Sequence, residues 1–205
     1  PTTLAAARRA AELGVPFVVA TGRPLRWLDV LDDLAEAHSK VIVSNGGAVF
    51  DLATRTIVRS FPLDARVALE VAAALRDRIP GITFGFETPT GFACEAACPS
   101  VERASAGAVA DDLAEVAGRV GPVIKLLGYS RELDSDRLAE LAVAVVAERL
   151  TLTHSFVGSH YGLLEISAPG VTKASTLAGL CAELGVAAAD VVAFGDMPND
   201  RAMLA

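Results

Sequence analysis

Six residues late in the chain are the first place to look for chemistry. Gly195-Asp196-Met197-Pro198-Asn199-Asp200 puts two carboxylates and an amide into one short turn. Crowded carboxylates repel and call for a cation or a proton. Hard oxygen donors of this kind suit Mg²⁺, which takes one or two protein carboxylates and fills its other positions with water and phosphate oxygens. An Asp/Asn-rich helix cap is the plain structural alternative. Thr21-Gly22-Arg23 offers a hydroxyl, a backbone N–H beside glycine and a guanidinium, a set able to hold a phosphoryl group. Lys173 follows Gly170-Val171-Thr172 and falls in the first turn of a predicted helix, where a cation opposes the helix dipole unless an anion sits beside it. Ser44-Asn45-Gly46-Gly47 is a turn that lets backbone approach a ligand closely, or simply a β-turn. His154 and His160, six apart, are candidates to face a substrate, though a lone strand histidine is more often packing or surface. Cys94, Cys98 and Cys181 are too few, and of odd number, for a disulfide framework; they read as structural or incidental thiols in a reducing compartment.

The segments in front of these motifs are alternately helical and apolar. Residues 3–13 are strong helix formers, and Gly14 stops them. Val15–Ala20 and Val41–Val43 are short apolar runs that predict buried parallel strands, with a helix over 25–37 between them. Lys173–Leu184 predicts a helix ended by Gly185, and Val191–Phe194 a further buried strand leading into the Asp196 turn. Such alternation argues for an α/β fold with a parallel sheet. Ligands in open sheets of this type bind beyond the carboxyl ends of the strands, where Thr21 and Asn45 would lie.

The middle of the chain has a different rhythm. A hairpin over 48–61 is followed by predicted helices over 64–78, 101–117 and 134–149. Strands are predicted over 82–86, 91–95, 123–127, 150–156 and 163–167. This predicts a second α/β unit, residues 62–169, inserted between two parts of the first, residues 1–61 and 170–205.

Composition narrows the partners. The 205 residues carry 18 Lys plus Arg and 25 Asp plus Glu, for a formal charge of −7. A nucleic-acid partner is disfavoured, because phosphate-backbone binding relies on Lys and Arg displacing counterions. No run approaches the roughly 20 apolar residues that span a bilayer, so no membrane association is expected. Half of the residues are apolar, enough to offset the entropy of ordering.

Taken singly these signals are modest; their order is specific. The chain resembles the haloacid-dehalogenase-like hydrolases, in particular the Cof-type subclass IIB phosphatases. The stretches that carry the likeness are Val-Val-Ala-Thr21-Gly22-Arg23-Pro24, Ser44-Asn45-Gly46-Gly47, Gly170-Val171-Thr172-Lys173 and Val-Val-Ala-Phe-Gly195-Asp196-Met197-Pro198-Asn199-Asp200. The resemblance implies a Rossmann-like parallel-sheet core with an inserted α/β cap domain of the C2 type. It implies Mg²⁺-dependent hydrolysis of a small phosphorylated metabolite, such as a sugar phosphate, through an aspartyl-phosphate, in a cytoplasmic monomer or homodimer. Thr21, Lys173, Asp196 and Asp200 would be catalytic. Gly22, Arg23, Asn45, Gly46, Lys173 and Asn199 would bind substrate, and Asp196 and Asn199 would face the metal. The family's nucleophile, the first Asp of Asp-x-Asp-Gly-Thr, is not present: residues 1–20 hold Glu12 as their one acid. The expectation is a chain lacking an N-terminal strand with the nucleophile and a C-terminal helix–strand piece. Two alternatives remain: a phosphomannomutase-like phosphotransferase, and a homologue that binds a phospholigand without cleaving it.

Overall fold

The computed structural model describes residues 2–35, 39–147, 149–153 and 161–205. Two sheets organise it. The first has four strands in the order β1 (Val19–Ala20), β2 (Lys40–Val43), β3 (Ala48–Asp51) and β4 (Thr56–Ser60). It is mixed: β1 and β2 run parallel, while β2–β3 and β3–β4 are antiparallel. Helix α1 (Thr2–Glu12) precedes β1, and α5 (Lys173–Leu184) packs near β2. The second sheet has six strands in the order β7-β6-β5-β8-β10-β9, formed by β5 (Thr83–Thr88), β6 (Gly91–Glu95), β7 (Val109–Ala110), β8 (Lys125–Ser130), β9 (Thr151–Thr153) and β10 (Gly162–Ser167). Three helices accompany it: α2 (Ala65–Arg78), α3 (Leu113–Arg119) and α4 (Ser135–Val146).

The strand alternation explains the two faces of the larger sheet. Successive side chains point to opposite sides. Phe84, Phe86, Leu126, Leu164 and Ile166 share one face and are buried with Leu75 of α2, Val116 of α3 and Leu138 of α4 in the main core. Each such side chain contributes about 1.5–3 kcal/mol on burial. The registers Glu87–Lys125, Gly85–Leu127 and Leu163–Tyr129 put the other residues of these strands on the opposite face. Phe92, Cys94, Cys98, Leu127 and Tyr129 form a smaller apolar cluster there. Asp64 caps α2 by accepting from the backbone N–H groups of Arg66 and Val67, and Asp134 caps α4 through Arg137.

Several expected elements take another form. Where the helix over 25–37 was expected, residues 25–35 form two short 3₁₀ segments, Leu25–Trp27 and Asp29–Leu34, and residues 36 and 37 lie outside the described residues. Three aspartates and a tryptophan in this stretch are weak helix formers, and the two segments meet at the buried Leu28. The helix over 101–117 is broken. Only Val101–Arg103 and Leu113–Arg119 are helical, because Gly107 turns the chain at φ +74° and Asp112 caps α3. Only Val19–Ala20 of the expected 15–20 strand pairs with a neighbour. Val191–Phe194 is not a buried strand. No described strand pairs with it, so its backbone has no ladder, and Val192 and Phe194 are 78% and 87% exposed. Residues 154–156 of the strand expected to follow Leu150, together with His154 and His160, lie outside the described residues.

Candidate active site

Lys173 occupies the first turn of α5, where its charge opposes the helix dipole. The conflict is resolved by Asp200. Lys173 Nζ donates to Asp200 Oδ1 at 2.8 Å and to Asn199 Oδ1 at 3.3 Å, with both Lys173 and Asp200 almost fully buried. The other Asp200 oxygen accepts from the backbone N–H groups of Asp196 (3.2 Å) and Met197 (3.1 Å). One carboxylate thus fixes the lysine and folds the turn that presents Asp196. Burial pushes the Asp200 carboxyl pKa up, but the Lys173 hydrogen bond and the two backbone donors outweigh it and hold it below the ordinary carboxylate value. Gly195 is required beside it: a Cβ there would lie 2.4 Å from that of Asp200.

The start of α5 is held in place by its own cap. Thr172 Oγ1 accepts from Ser175 N, and Ser175 Oγ accepts from Thr172 N, both at 3.0 Å. Thr176 Oγ1 donates to Gly46 O at 2.9 Å, binding the helix to the turn after β2. In that turn Ser44 and Asn45 both have positive φ, and Gly46 sits at φ +105°. A Cβ at Gly46 would lie 2.3 Å from the Thr172 carbonyl oxygen, so this approach admits only glycine. Asn45 N donates to Thr21 O at 3.1 Å, and Asn199 Nδ2 donates to Asn45 Oδ1 at 2.9 Å. Four distant segments, 21–23, 44–46, 172–176 and 195–200, are therefore knotted together by hydrogen bonds.

Their joint product is a cleft of about 660 Å³ whose walls include Thr21, Gly22, Arg23, Lys173, Asp196, Asn199 and Asp200. Asn45 and Gly46 do not line it; they brace it from behind, Asn45 being fully buried. Thr21 Oγ1 accepts from Arg23 N at 3.1 Å, which leaves its O–H proton to donate elsewhere. Lys173 has three N–H donors, of which Asp200 and Asn199 take two. Arg23 and the Asp196 carboxylate are exposed, with no ion-pair partner among the described residues.

Part of the neighbourhood is absent from the motif reading. The opposite wall comes from the six-stranded sheet, through Leu163 and Glu165, and Trp27 also contributes. Lys125 Nζ donates to Glu165 Oε1 at 2.5 Å and to Gly22 O at 3.0 Å, so it links the larger sheet to the Thr21 loop. Arg26 makes a two-pronged ion pair with the buried Glu87, linking the same two regions. The signal was one charged residue inside an apolar run: Lys125 in Val-Ile-Lys-Leu-Leu, Glu165 in Leu-Leu-Glu-Ile. Such residues are almost never fully buried unless paired.

Comparison with known proteins gives the family and the fold. Residues 1–205 match the haloacid dehalogenase-like hydrolase family. An HMP-PP phosphatase from Cronobacter sakazakii is 39% identical over 71 residues, which is 35% of this chain and 26% of that protein; the chain spans about a quarter of the curated relative it matches. Among solved structures, a HAD subclass IIB sugar phosphatase superposes with a TM-score of 0.75 at 16% identity, covering 99% of this chain and 76% of that one. A phosphatase from Bacteroides thetaiotaomicron gives 0.76 at 22% identity, over 98% and 71%. These likenesses are of fold, and the family match covers the whole length: the chain belongs to the haloacid dehalogenase-like hydrolases.

Proposed function

We propose that this chain supplies the phosphoryl-binding and metal-facing part of a Mg²⁺-dependent phosphatase that hydrolyses a small phosphorylated metabolite of the sugar-phosphate class. The observation that carries the reading is the convergence of Thr21, Lys173 and Asp196 on one cleft, with Asp200 fixing two of the three.

The donor set fits magnesium. Asp196 offers an exposed carboxylate at the cleft wall, and among the described residues no three acidic, His or Cys side chains converge into a closed cage. One or two protein oxygens with water and phosphate completing the shell is the usual arrangement for this ion. Asp196 would hold it, with Asn199 alongside, and the bound ion would supply Lewis-acid stabilisation of a phosphoryl oxygen.

This chain's own residues bind and neutralise the transferring group. The third Lys173 N–H and the outward Thr21 O–H donate to its non-bridging oxygens, whose charge grows in the transition state. Arg23 adds an exposed guanidinium at the cleft wall. Gly22 lets backbone come close. The family likeness implies that a carboxylate outside these residues attacks phosphorus, breaking the ester P–O bond, and that water then cleaves the aspartyl-phosphate. Residues 62–169 act as the cap, contributing the wall that meets the alcohol portion. The free thiols of Cys94, Cys98 and Cys181 fit work in the cytoplasm. No described helix is long and apolar enough to cross a membrane.

The test is phosphate release by the full-length protein over a panel of sugar phosphates and other phosphomonoesters, with and without Mg²⁺. Metal-dependent release from at least one is expected, with Asp196→Ala reducing it to background. Retained activity in that variant would remove the metal assignment.

A further inference from the structure

Behind the main cleft lies a smaller pocket of about 110 Å³, and the two share Gly22, Trp27, Leu163 and Glu165 as a common wall. Glu165 is the one acidic residue in that wall. It projects from β10 on the face opposite the main core, in register with Leu127 of β8. It is 4% exposed. One carboxylate oxygen, Oε1, accepts from Lys125 at 2.5 Å. The other, Oε2, is buried and has no hydrogen-bond partner among the described residues. Buried acceptors are nearly always paired, and leaving a carboxylate oxygen unpaired is costly. Here the unpaired acceptor belongs to a residue that walls a cleft. Lys125 is itself buried and is pinned by Gly22 O at 3.0 Å.

Resting on the phosphatase reading above, we propose that Glu165 selects the alcohol portion of the ester: its Oε2 accepts a hydrogen bond from a hydroxyl or amino group of the substrate, and Lys125 positions the carboxylate for it. The apolar surfaces of Trp27 and Leu163 flank the donor-bearing group. A leaving group without a donor leaves Oε2 unpaired in a desolvated site, and a site built this way discriminates strongly against such analogues.

Two matched pairs of esters test this: glycerol phosphate against propyl phosphate, and para-aminobenzyl phosphate against benzyl phosphate. The first pair reads a hydroxyl donor, the second an amine. The full-length protein is expected to favour the donor-bearing member of at least one pair roughly tenfold or more in kcat/KM. In Glu165→Gln the amide oxygen keeps Lys125 and the amide nitrogen becomes a donor, so that ratio should collapse or reverse. Both members are turned over by the same folded molecules, so the ratio does not depend on how much variant folds. Glu165→Asp, which withdraws the carboxylate by one methylene, is the second variant and should also lower the ratio. Equal turnover within both pairs by the unmodified protein overturns the inference while leaving the phosphatase reading intact. So does an unchanged ratio in both variants, or abolished turnover of all four esters in both. If the unmodified protein hydrolyses none of the four esters and none of the wider panel, the phosphatase reading itself has failed.

Discussion

Asp200 is the residue on which the site's electrostatics turn. It is buried, it holds Lys173, and it folds the turn that carries Asp196. Replacing Lys173 with methionine keeps the volume but leaves Asp200 as a buried charge without its partner, a loss on the order of 3 kcal/mol. Denaturant unfolding should show that loss, and phosphate release should fall by about a hundredfold or more, as for other preorganised donors. The double variant Lys173→Met, Asp200→Asn should regain much of the stability and none of the activity. A double variant no more stable than Lys173→Met alone would contradict the pairing. The carboxyl also sets a pH dependence. Its pKa is lower folded than unfolded, so its stabilising contribution is complete above the unfolded value near 3.9. The contribution is lost as pH falls through the lower folded value. Asp200→Asn should therefore flatten the acid limb of an unfolding-midpoint profile; an unchanged limb would show that other carboxylates dominate it.

Elements place these residues by close approach, and glycine is the means. Gly46→Ala brings a Cβ against the Thr172 carbonyl and forces a side chain into positive φ. Gly14→Ala, also at positive φ but with open space around it, carries only the backbone penalty of about 1–2 kcal/mol. Gly46→Ala should cost clearly more by thermal or denaturant unfolding, about 3 kcal/mol or more, and should reduce turnover, whereas Gly14→Ala should not. Equal costs would mean that the α5 cap can retreat from the turn. The helix Lys173–Leu184 was legible in the sequence with Gly185 as its stop, and the structure adds Thr172 as its N-cap. The helix expected over 25–37 was not, since aspartates that suit a helix start also suit a 3₁₀ turn. Val191–Phe194 reads as a strand by composition, yet strand formation depends on a neighbour, which local sequence does not encode. The motifs that meet at the cleft were readable because each is contiguous. Lys125, Glu165 and the Arg26–Glu87 pair were not, because they meet across 40 to 103 residues of chain.

At the scale of the whole molecule, the two sheets divide the work. The four-stranded sheet and α5 position Thr21 and Lys173, the groups proposed to bind the phosphoryl, while the six-stranded sheet supplies Leu163 and Glu165 on the facing wall. Lys125 and Arg26 hold the facing parts together. Leu163→Ala should accordingly change the ranking of esters in a phosphate-release panel. Thr21→Ala should lower all of them by a similar factor. A Leu163→Ala protein slowed equally on every ester would contradict this division.

The cleft's role as a phosphoryl site is tested most directly by a crystal structure of the full-length protein with magnesium and orthovanadate. Vanadate oxygens are expected on Thr21 Oγ1 and Lys173 Nζ, with the metal on Asp196 and the Lys173–Asp200 bond retained. Vanadate bound away from Thr21 and Lys173, or a metal that ignores Asp196, would contradict it.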